Sequence, residues 1–171
     1  MKVLIISFFL ANVLFGNILD FKTLHTSFKQ IVKNRSGNEI VYQGELKIKG
    51  NDKILWSYKI PIVKNVYINK NQVIIDEPEL EQAITSTLND ELNIVKIINN
   101  SKKVSQNIYE NTLEDTKYSI MIENNILKSI SYKDELDNKV VILFTNFQKD
   151  VTLSDSIFSF TIPKNYDVIK K

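Results

Sequence analysis

The chain has 171 residues, with 43% hydrophobic and 25% charged, which is sufficient for one globular domain with a sizeable core and argues against disorder. A net charge of +2, with Arg35 as the sole arginine, argues against nucleic acid as a partner, because its readers use several guanidinium groups. The lack of cysteine excludes disulfides, thiolate metal sites and a lipid anchor carried by the chain itself.

The N-terminus has the features of a secretory signal. Lys2 precedes an apolar run, Val3–Phe15, and the small residue Gly16 follows. This run is too short to span a bilayer comfortably. We therefore predict a signal peptide over residues 1–16 and a single exported domain over residues 17–171; the alternative is a buried N-terminal helix.

Hydrophobic periodicity predicts a mainly β domain. Residues 18–24 carry Ile18, Phe21 and Leu24 at helical spacing, which predicts a short amphipathic helix. From Thr26 the period changes to two, and turn residues separate about ten strands. The predicted strand segments are TSFKQIVKN, EIVYQGELKIK, DKILWSYKI, KNVYI, QVIID, EQAITSTL, NIYENTL, KYSIMIE, ILKSISYK, KVVILFTNFQ and IFSFTIP.

The stretch DKILWSYKIP has two different faces. Ile54, Trp56, Tyr58 and Ile60 alternate with Lys53, Leu55, Ser57 and Lys59. A face with the only tryptophan and its large neighbours fits either a packed core or the wall of a site for an apolar ligand. The sequence alone leaves both interpretations open.

The segment DELNIVKIINN, residues 90–100, interrupts the strands. Asp90 is a helix-capping residue type, and Leu92, Val95 and Ile98 recur at helical spacing, with Ile94 and Ile97 widening the apolar stripe. We predict a short helix that needs a large hydrophobic partner.

A meander of this length must protect its edges, and two or three short helices cannot cover a flat sheet of ten strands. Such a sheet can close into a barrel, or it can curl and let helices cover its opening; a curled sheet with helices in its mouth uses both the strands and the helices.

In order along the chain, four segments resemble the LolA family of periplasmic carriers of outer-membrane lipoproteins. These segments are FKTLHTSFKQIV at the start, GELKIKGNDKILWSYKIP with Trp56, Tyr58 and Pro61, DEPELEQA with Pro78, Leu80, Glu81 and Gln82, and IFSFTIPKNYDVI with Phe158, Phe160 and Pro163. The resemblance covers nearly the whole predicted mature chain.

The resemblance implies an incompletely closed, curled antiparallel β-barrel, with short α-helices as a lid over an apolar cavity. It also implies a monomeric periplasmic carrier, not an enzyme. Such a carrier takes acylated lipoproteins from an ATP-driven release complex in the inner membrane and delivers them to an outer-membrane acceptor. It implies no cofactor and no metal. The residues that we expect to form the acyl-chain cavity and its lid are Leu46, Ile48, Ile54, Trp56, Tyr58, Ile60, Leu80, Leu92, Val95 and Ile98.

One position departs from the family pattern. The family commonly has an Arg-Pro pair shortly before the tryptophan, and that arginine is associated with holding the lid closed. Gly50 and Asn51 stand at the matching positions here. Neither offers a guanidinium, so we expect a lid that opens more readily or is fastened elsewhere.

Two other classes of function remain open. A periplasmic binding protein for free lipid or another hydrophobic ligand would differ only in its ligand. A hydrolase of an envelope lipid would need a serine or carboxylate base in the cavity, and the sequence singles out none. His25 cannot form a metal site by itself, and the carboxylates around Pro78 favour a solvated turn over a calcium loop.

Overall fold

The computed structural model describes residues 18–88 and 93–171, which form a mainly β structure. Its strands in chain order are β1 (Thr23–Lys33), β2 (Glu39–Lys49), β3 (Lys53–Ile60), β4 (Lys64–Asn69), β5 (Gln72–Glu77), β6 (Gln82–Thr87), β7 (Lys102–Lys103), β8 (Ile108–Leu113), β9 (Thr116–Glu123), β10 (Ile126–Lys133), β11 (Lys139–Lys149) and β12 (Asp167–Lys170). The described helical segments are α1 (Ile94–Asn99) and 3₁₀ turns at Pro78–Leu80 and Asp155–Phe158.

The described strands form one twelve-stranded sheet in the order β12-β6-β5-β4-β3-β2-β1-β11-β10-β9-β8-β7. Neighbouring strands are antiparallel except β12, which adds to β6 in parallel. The outermost strands are β12 and β7, so the sheet is open. Strand β1 lies between β2 and β11 and joins the two halves of the meander.

The sheet curls until its two halves meet across the concave face. The Trp56 ring on β3 lies 6.4 Å from the Phe144 ring on β11, although β2 and β1 separate these strands in the sheet. Alternation places the apolar residues of both halves in one buried cluster, which also contains the inner residues of α1. The predicted fold class, a curled and incompletely closed β structure with few helices, is confirmed.

Helix α1 lies within the predicted segment but begins later than expected. Its N-cap is Asn93, whose side chain accepts a hydrogen bond from the Lys96 backbone N–H at 3.0 Å. The structure therefore assigns the cap to Asn93; Asp90 lies outside the described residues. The helix has six residues, and its buried side chains are Ile94, Val95, Ile97 and Ile98.

The predicted helix over residues 18–24 is wrong. Residues 18–22 form bends, and β1 begins at Thr23. Sheet neighbours fix this segment: the Lys22 N–H donates to the Asp150 carboxylate at 2.8 Å, and its carbonyl accepts from the Gly50 N–H at 2.9 Å. These tertiary hydrogen bonds replace the bonds of a short helix that is marginal in isolation.

The segment IFSFTIP was predicted as a strand, but it crosses the outer face of the sheet instead. Its first two residues, Ile157 and Phe158, end the 3₁₀ turn Asp155–Phe158, which packs on β3 and β4. Phe158 is almost fully buried, and Leu55 on the outer face of β3 is buried as well. The strand β12 follows only at Asp167. We call residues 150–171 the C-terminal strap.

Candidate functional site: an apolar cavity beneath helix α1

The concave face of the sheet encloses a cavity of about 130 Å³. Both halves of the sheet and α1 contribute to its wall. The lining residues are Gln30, Trp56, Tyr58, Val66, Ile68, Ile94, Ile97, Tyr118, Ile130, Tyr132 and Ile142. The cavity is therefore mostly aliphatic and aromatic, as the sites of apolar ligands are.

An aromatic cluster forms the wall at β3. The Phe28 ring meets the rings of Trp56 and Tyr58 edge-on, with centroids 5.1 and 5.0 Å away. Gly44 lies below Phe28 on β2, where an added Cβ would fall 2.0 Å from the Ser57 carbonyl oxygen and 2.8 Å from the Phe28 ring. Because Gly44 has no side chain, the Phe28 ring can pack directly against the backbone of β2.

Helix α1 forms the roof of the cavity. Ile94 and Ile97 face the cavity, whereas Val95 and Ile98 line a smaller crevice beside Leu19, Phe21, Asn51 and Asn99. The helix therefore uses two apolar sides. Ile94 and Ile97, which were predicted only to widen the apolar stripe of α1, are therefore the residues that cover the cavity.

The end of α1 is fastened to the sheet by a side chain that the sequence analysis missed. The Asn111 amide on β8 donates to the Ile97 carbonyl at 3.1 Å. This carbonyl belongs to the last turn, which has no intrahelical donor available. Asn51 only borders the crevice beneath α1, and no sequence signal distinguished Asn111 from other strand asparagines.

Four polar side chains enter the cavity at the end where the hairpin turns lie. They are Gln30, Tyr58, Tyr118 and Tyr132. The Tyr58 hydroxyl donates to Gln30 Oε1 at 3.0 Å. Burial raises the pKa of Tyr58, and the nearby Tyr132 and Tyr42 raise it further. Apart from Tyr58, these residues were not predicted, although strand alternation places them on the inner face once the strand pairing is known.

The predicted site residues fall into three groups. Trp56 and Tyr58 line the cavity. Val95 and Ile98 are buried side chains of α1 that line the smaller crevice instead of the cavity. Leu46, Ile48 and Ile54 are fully buried in the core cluster on the inner face of the sheet.

The other predicted residues lie elsewhere. A bulge in β3 pairs Ile60 with Gln43, which faces outward, and leaves Ile60 53% exposed. Leu80 lies in the turn after β5 and is 67% exposed. Both therefore lie outside the described cavity, in contrast to their predicted position. Leu92 lies outside the described residues.

The outer face of β1–β3 is charged, in contrast to the cavity. The Glu45 carboxylate contacts the ammonium of Lys59, that of Lys47 at 3.1 Å and His25 Nε2 at 3.2 Å. These hydrogen bonds, led by Lys59, lower the pKa of Glu45 to about 2. Throughout the two described ranges, no helix is long and apolar enough to cross a bilayer.

A curled antiparallel sheet with a short helix over an apolar cavity defines a class of β proteins suited to sheltering apolar ligands. The family described as Outer membrane lipoprotein carrier protein LolA matches residues 20–161. The chain is 35% identical over 169 residues to the outer-membrane lipoprotein carrier protein of Campylobacter jejuni, covering 99% of both. The chain belongs to the LolA family.

Further relatives agree with this assignment. The outer-membrane lipoprotein carrier protein of Helicobacter pylori strain HPAG1 is 34% identical over 146 residues, which cover 84% of this chain and 78% of that protein. A LolA superfamily protein from Nitrosomonas europaea has a similar crystal structure, with a TM-score of 0.52 at 11% identity, covering 83% of this chain and 92% of that one. At this identity the likeness concerns the fold alone.

Proposed function

We propose that this chain is a periplasmic carrier that shields the acyl chains of lipoproteins released from the inner membrane and delivers them to the outer membrane. The names of its relatives support this function. The observation that carries it is the apolar cavity, roofed by a six-residue helix whose buried side chains are all aliphatic.

The volume of the cavity indicates how a ligand enters. About 130 Å³ is close to the size of an engineered cavity of roughly 150 Å³ that binds benzene, and an acyl chain needs several times this space. An acyl chain therefore enters only where α1 withdraws Ile94 and Ile97. In the proposed cycle this is the closed form, in which α1 fills space that an acyl chain takes up when it binds.

The energies of the two occupants are similar. Burying the four aliphatic side chains of α1 contributes roughly 6 to 12 kcal/mol, at about 1.5 to 3 kcal/mol each. An acyl chain of ordinary length contributes on the order of 10 kcal/mol. Because the values are comparable, the acyl chain and α1 can replace one another, and the carrier can both bind and release its cargo.

The energy that holds acyl chains in a membrane also indicates the partners of the carrier. Several acyl chains hold a lipoprotein in its membrane too strongly for spontaneous release, so the carrier works with an ATP-driven release complex in the inner membrane and an outer-membrane acceptor. It acts as a monomer, residues 17–171, after removal of residues 1–16. The residues lining the described cavity include no serine, histidine or carboxylate, which supports a carrier rather than a hydrolase.

The decisive experiment mixes the protein lacking residues 1–16 with inner-membrane vesicles, the release complex and ATP. We expect lipoprotein to become soluble in a complex with the carrier. Mass spectrometry of the ligand that co-purifies with the protein tests the alternative: free lipid without lipoprotein supports a general lipid-binding protein and contradicts the carrier. Turnover of the lipid would indicate an enzyme.

The movement of α1 has its own test. Trp56 is the only tryptophan and lines the cavity, so a lipopeptide with brominated acyl chains should quench its fluorescence. Hydrogen exchange of the α1 amides should rise on binding. Quenching without a change in exchange would contradict the replacement of α1 by acyl chains.

A further inference from the structure

The inner face of the sheet changes polarity along its strands. Where it packs beneath α1, Leu24, Ile48 and Ile54 form a cross-strand row that is almost completely buried. Toward the hairpin end, the paired positions are Gln30 and Tyr42. The face is therefore hydrocarbon at one end and rich in hydrogen-bonding groups at the other.

Four polar residues at the hairpin end line the cavity, and we call them the collar. They are Gln30 on β1, Tyr58 on β3, Tyr118 on β9 and Tyr132 on β10. The Tyr118 and Tyr132 rings lie 5.0 Å apart. Tyr132 is also close enough to Tyr58 to influence its titration. The collar therefore joins side chains from both halves of the curled sheet.

The collar offers hydrogen-bond donors to a ligand. Tyr58 occupies the carbonyl end of the Gln30 side chain, and the amide end carries two N–H groups. Because the Tyr58 O–H is already donated to Gln30, Tyr58 positions the Gln30 side chain, and these two N–H groups are the donors that a ligand can use. A ligand made only of methylenes would remove water from these groups without replacing its hydrogen bonds, which is unfavourable. A matching ligand carries an acceptor at this depth.

The acceptor should be uncharged. Burial raises the pKa of Tyr58, which shows that its surroundings disfavour negative charge. The lining residues include neutral donors but no lysine or arginine. Lys64 places its ammonium over the Tyr58 ring, 4.8 Å from the centroid, and is the cation that a charged head group would use. A carbonyl of an ester is an uncharged acceptor with no donor of its own.

We propose that the collar binds the ester carbonyls of a diacylglyceryl lipid, so that the glycerol stays at the hairpin end while the acyl chains extend toward α1. This assignment rests on the proposed function and names the part of the cargo that the site recognises. The carrier thereby distinguishes ester-linked lipid from plain hydrocarbon, while the aliphatic part of the cavity remains tolerant of chain length.

The test compares two synthetic lipopeptides with the same peptide and the same terminally brominated chains. In one, the chains are joined to glycerol by esters; in the other, by ethers, which lack the carbonyl. Quenching of Trp56 measures both dissociation constants. We expect the ester probe to bind about three- to tenfold more tightly, the effect of one or two neutral hydrogen bonds.

Variants assign the difference to the collar. Gln30→Leu and Tyr58→Phe should bring the ester-to-ether ratio close to one. Tyr67→Phe is the matched control, because Tyr67 stacks on Phe160 at the outer face, and it should keep the wild-type ratio. If Gln30→Leu unfolds, Tyr58→Phe, which keeps the ring and removes the hydroxyl that positions the Gln30 amide, decides the question.

Each remaining outcome has a distinct meaning. Equal binding of both probes by the wild type would overturn the collar assignment but leave the carrier function intact. No quenching by either probe would contradict the proposed function itself, and the collar with it. Tighter binding of a brominated free fatty acid than of its methyl ester would overturn the neutral-carbonyl assignment in favour of a carboxylate near Lys64.

Discussion

Two segments cover the same sheet from opposite sides, and they are held in different ways. Helix α1 covers the inner face with four aliphatic side chains, and Asn111 fastens its last turn to β8. The C-terminal strap packs on the outer face of β3 and β4 through ion pairs and stacked rings, and its strand β12 extends the sheet at the edge of β6 by backbone pairing. From this difference we expect a ligand to displace α1 and to leave the strap in place.

The attachments of the strap show why it should stay in place. Lys49 and Lys53 hold Asp155 at 3.0 and 2.9 Å, and Lys49 also donates to the Leu153 carbonyl at 3.0 Å. Strand β12 is hydrogen-bonded along β6. Directional bonds of this kind cannot be replaced by methylenes, whereas the aliphatic contacts of α1 can.

The largest effect is expected when the strap loses its buried anchor. Phe158→Ala should lower the free energy of unfolding by about 3 to 5 kcal/mol, because it removes a fully buried ring between the strap and β3–β4. Urea denaturation measures this change. The exposed strap residue Val168 supplies the control, and Val168→Ala should change stability by less than about 0.5 kcal/mol. A loss as small as that of the control would show that the strap is not anchored by this ring.

Truncating the lid should have two opposite effects. Ile97→Ala should lower the free energy of unfolding by about 2 to 3 kcal/mol, yet tighten the binding of an acylated probe by roughly tenfold, since a weaker lid competes less and 1.4 kcal/mol corresponds to a factor of ten. Chemical denaturation and Trp56 quenching measure the two quantities. In Phe158→Ala, binding by the folded fraction should remain unchanged. If Ile97→Ala weakens binding instead, Ile97 is a fixed part of the wall.

The fastening of α1 can be tested separately from its packing. Asn111→Ala removes the hydrogen bond to Ile97 and should cost about 1 kcal/mol. Amide exchange in α1 should accelerate by about fivefold, because the closed helix is destabilised by this amount. Thr112 is exposed and adjacent to Asn111, so Thr112→Ala is the control and should leave amide exchange in α1 unchanged. Equal exchange in the two variants would mean that the bond does not restrain the lid.

The smallest effect on stability is expected at Glu45, on the charged outer face of β1–β3. The pKa of Glu45 falls from 4.5 to about 2 on folding, mainly through Lys59. Its stabilisation is therefore present above pH 4.5 and disappears as the pH falls through 2. Because such surface pairs are largely solvated, we expect Glu45→Gln to cost at most about 1 kcal/mol at pH 7. The difference between wild type and variant should vanish near pH 2, and a constant difference from pH 7 to 2 would exclude this ionic origin.

Sequence periodicity predicted most of the strands because alternation is a local property of the chain. The segment ILKSISYK matches β10, Ile126–Lys133, residue for residue. The helix within residues 90–100 was also predicted, since its stripe of aliphatic residues has no strand interpretation. The need to protect the edges of a long meander then favoured a curled sheet, and the family resemblance supplied the incompletely closed barrel and its lid.

The errors arose where distant groups determine the local structure. Bonds to Asp150 and Gly50 hold residues 18–22 out of a helix. A bulge turns Ile60 outward although the alternation of β3 predicts the inner face. Asp76, expected in a solvated turn, is buried on β5, where one carboxylate oxygen accepts a bond from Asn65 at 3.0 Å.

The sequence by itself determined the alternating faces of the strands, the aliphatic character of α1 and the membership of the chain in its family. Only the tertiary structure decided that Ile94 and Ile97 roof the cavity, that Asn111 fastens the helix, and that collar residues from both halves of the sheet line one cavity. The physical reason is that periodicity fixes the direction of a side chain relative to its own element. What lies opposite depends on the curl of the whole sheet.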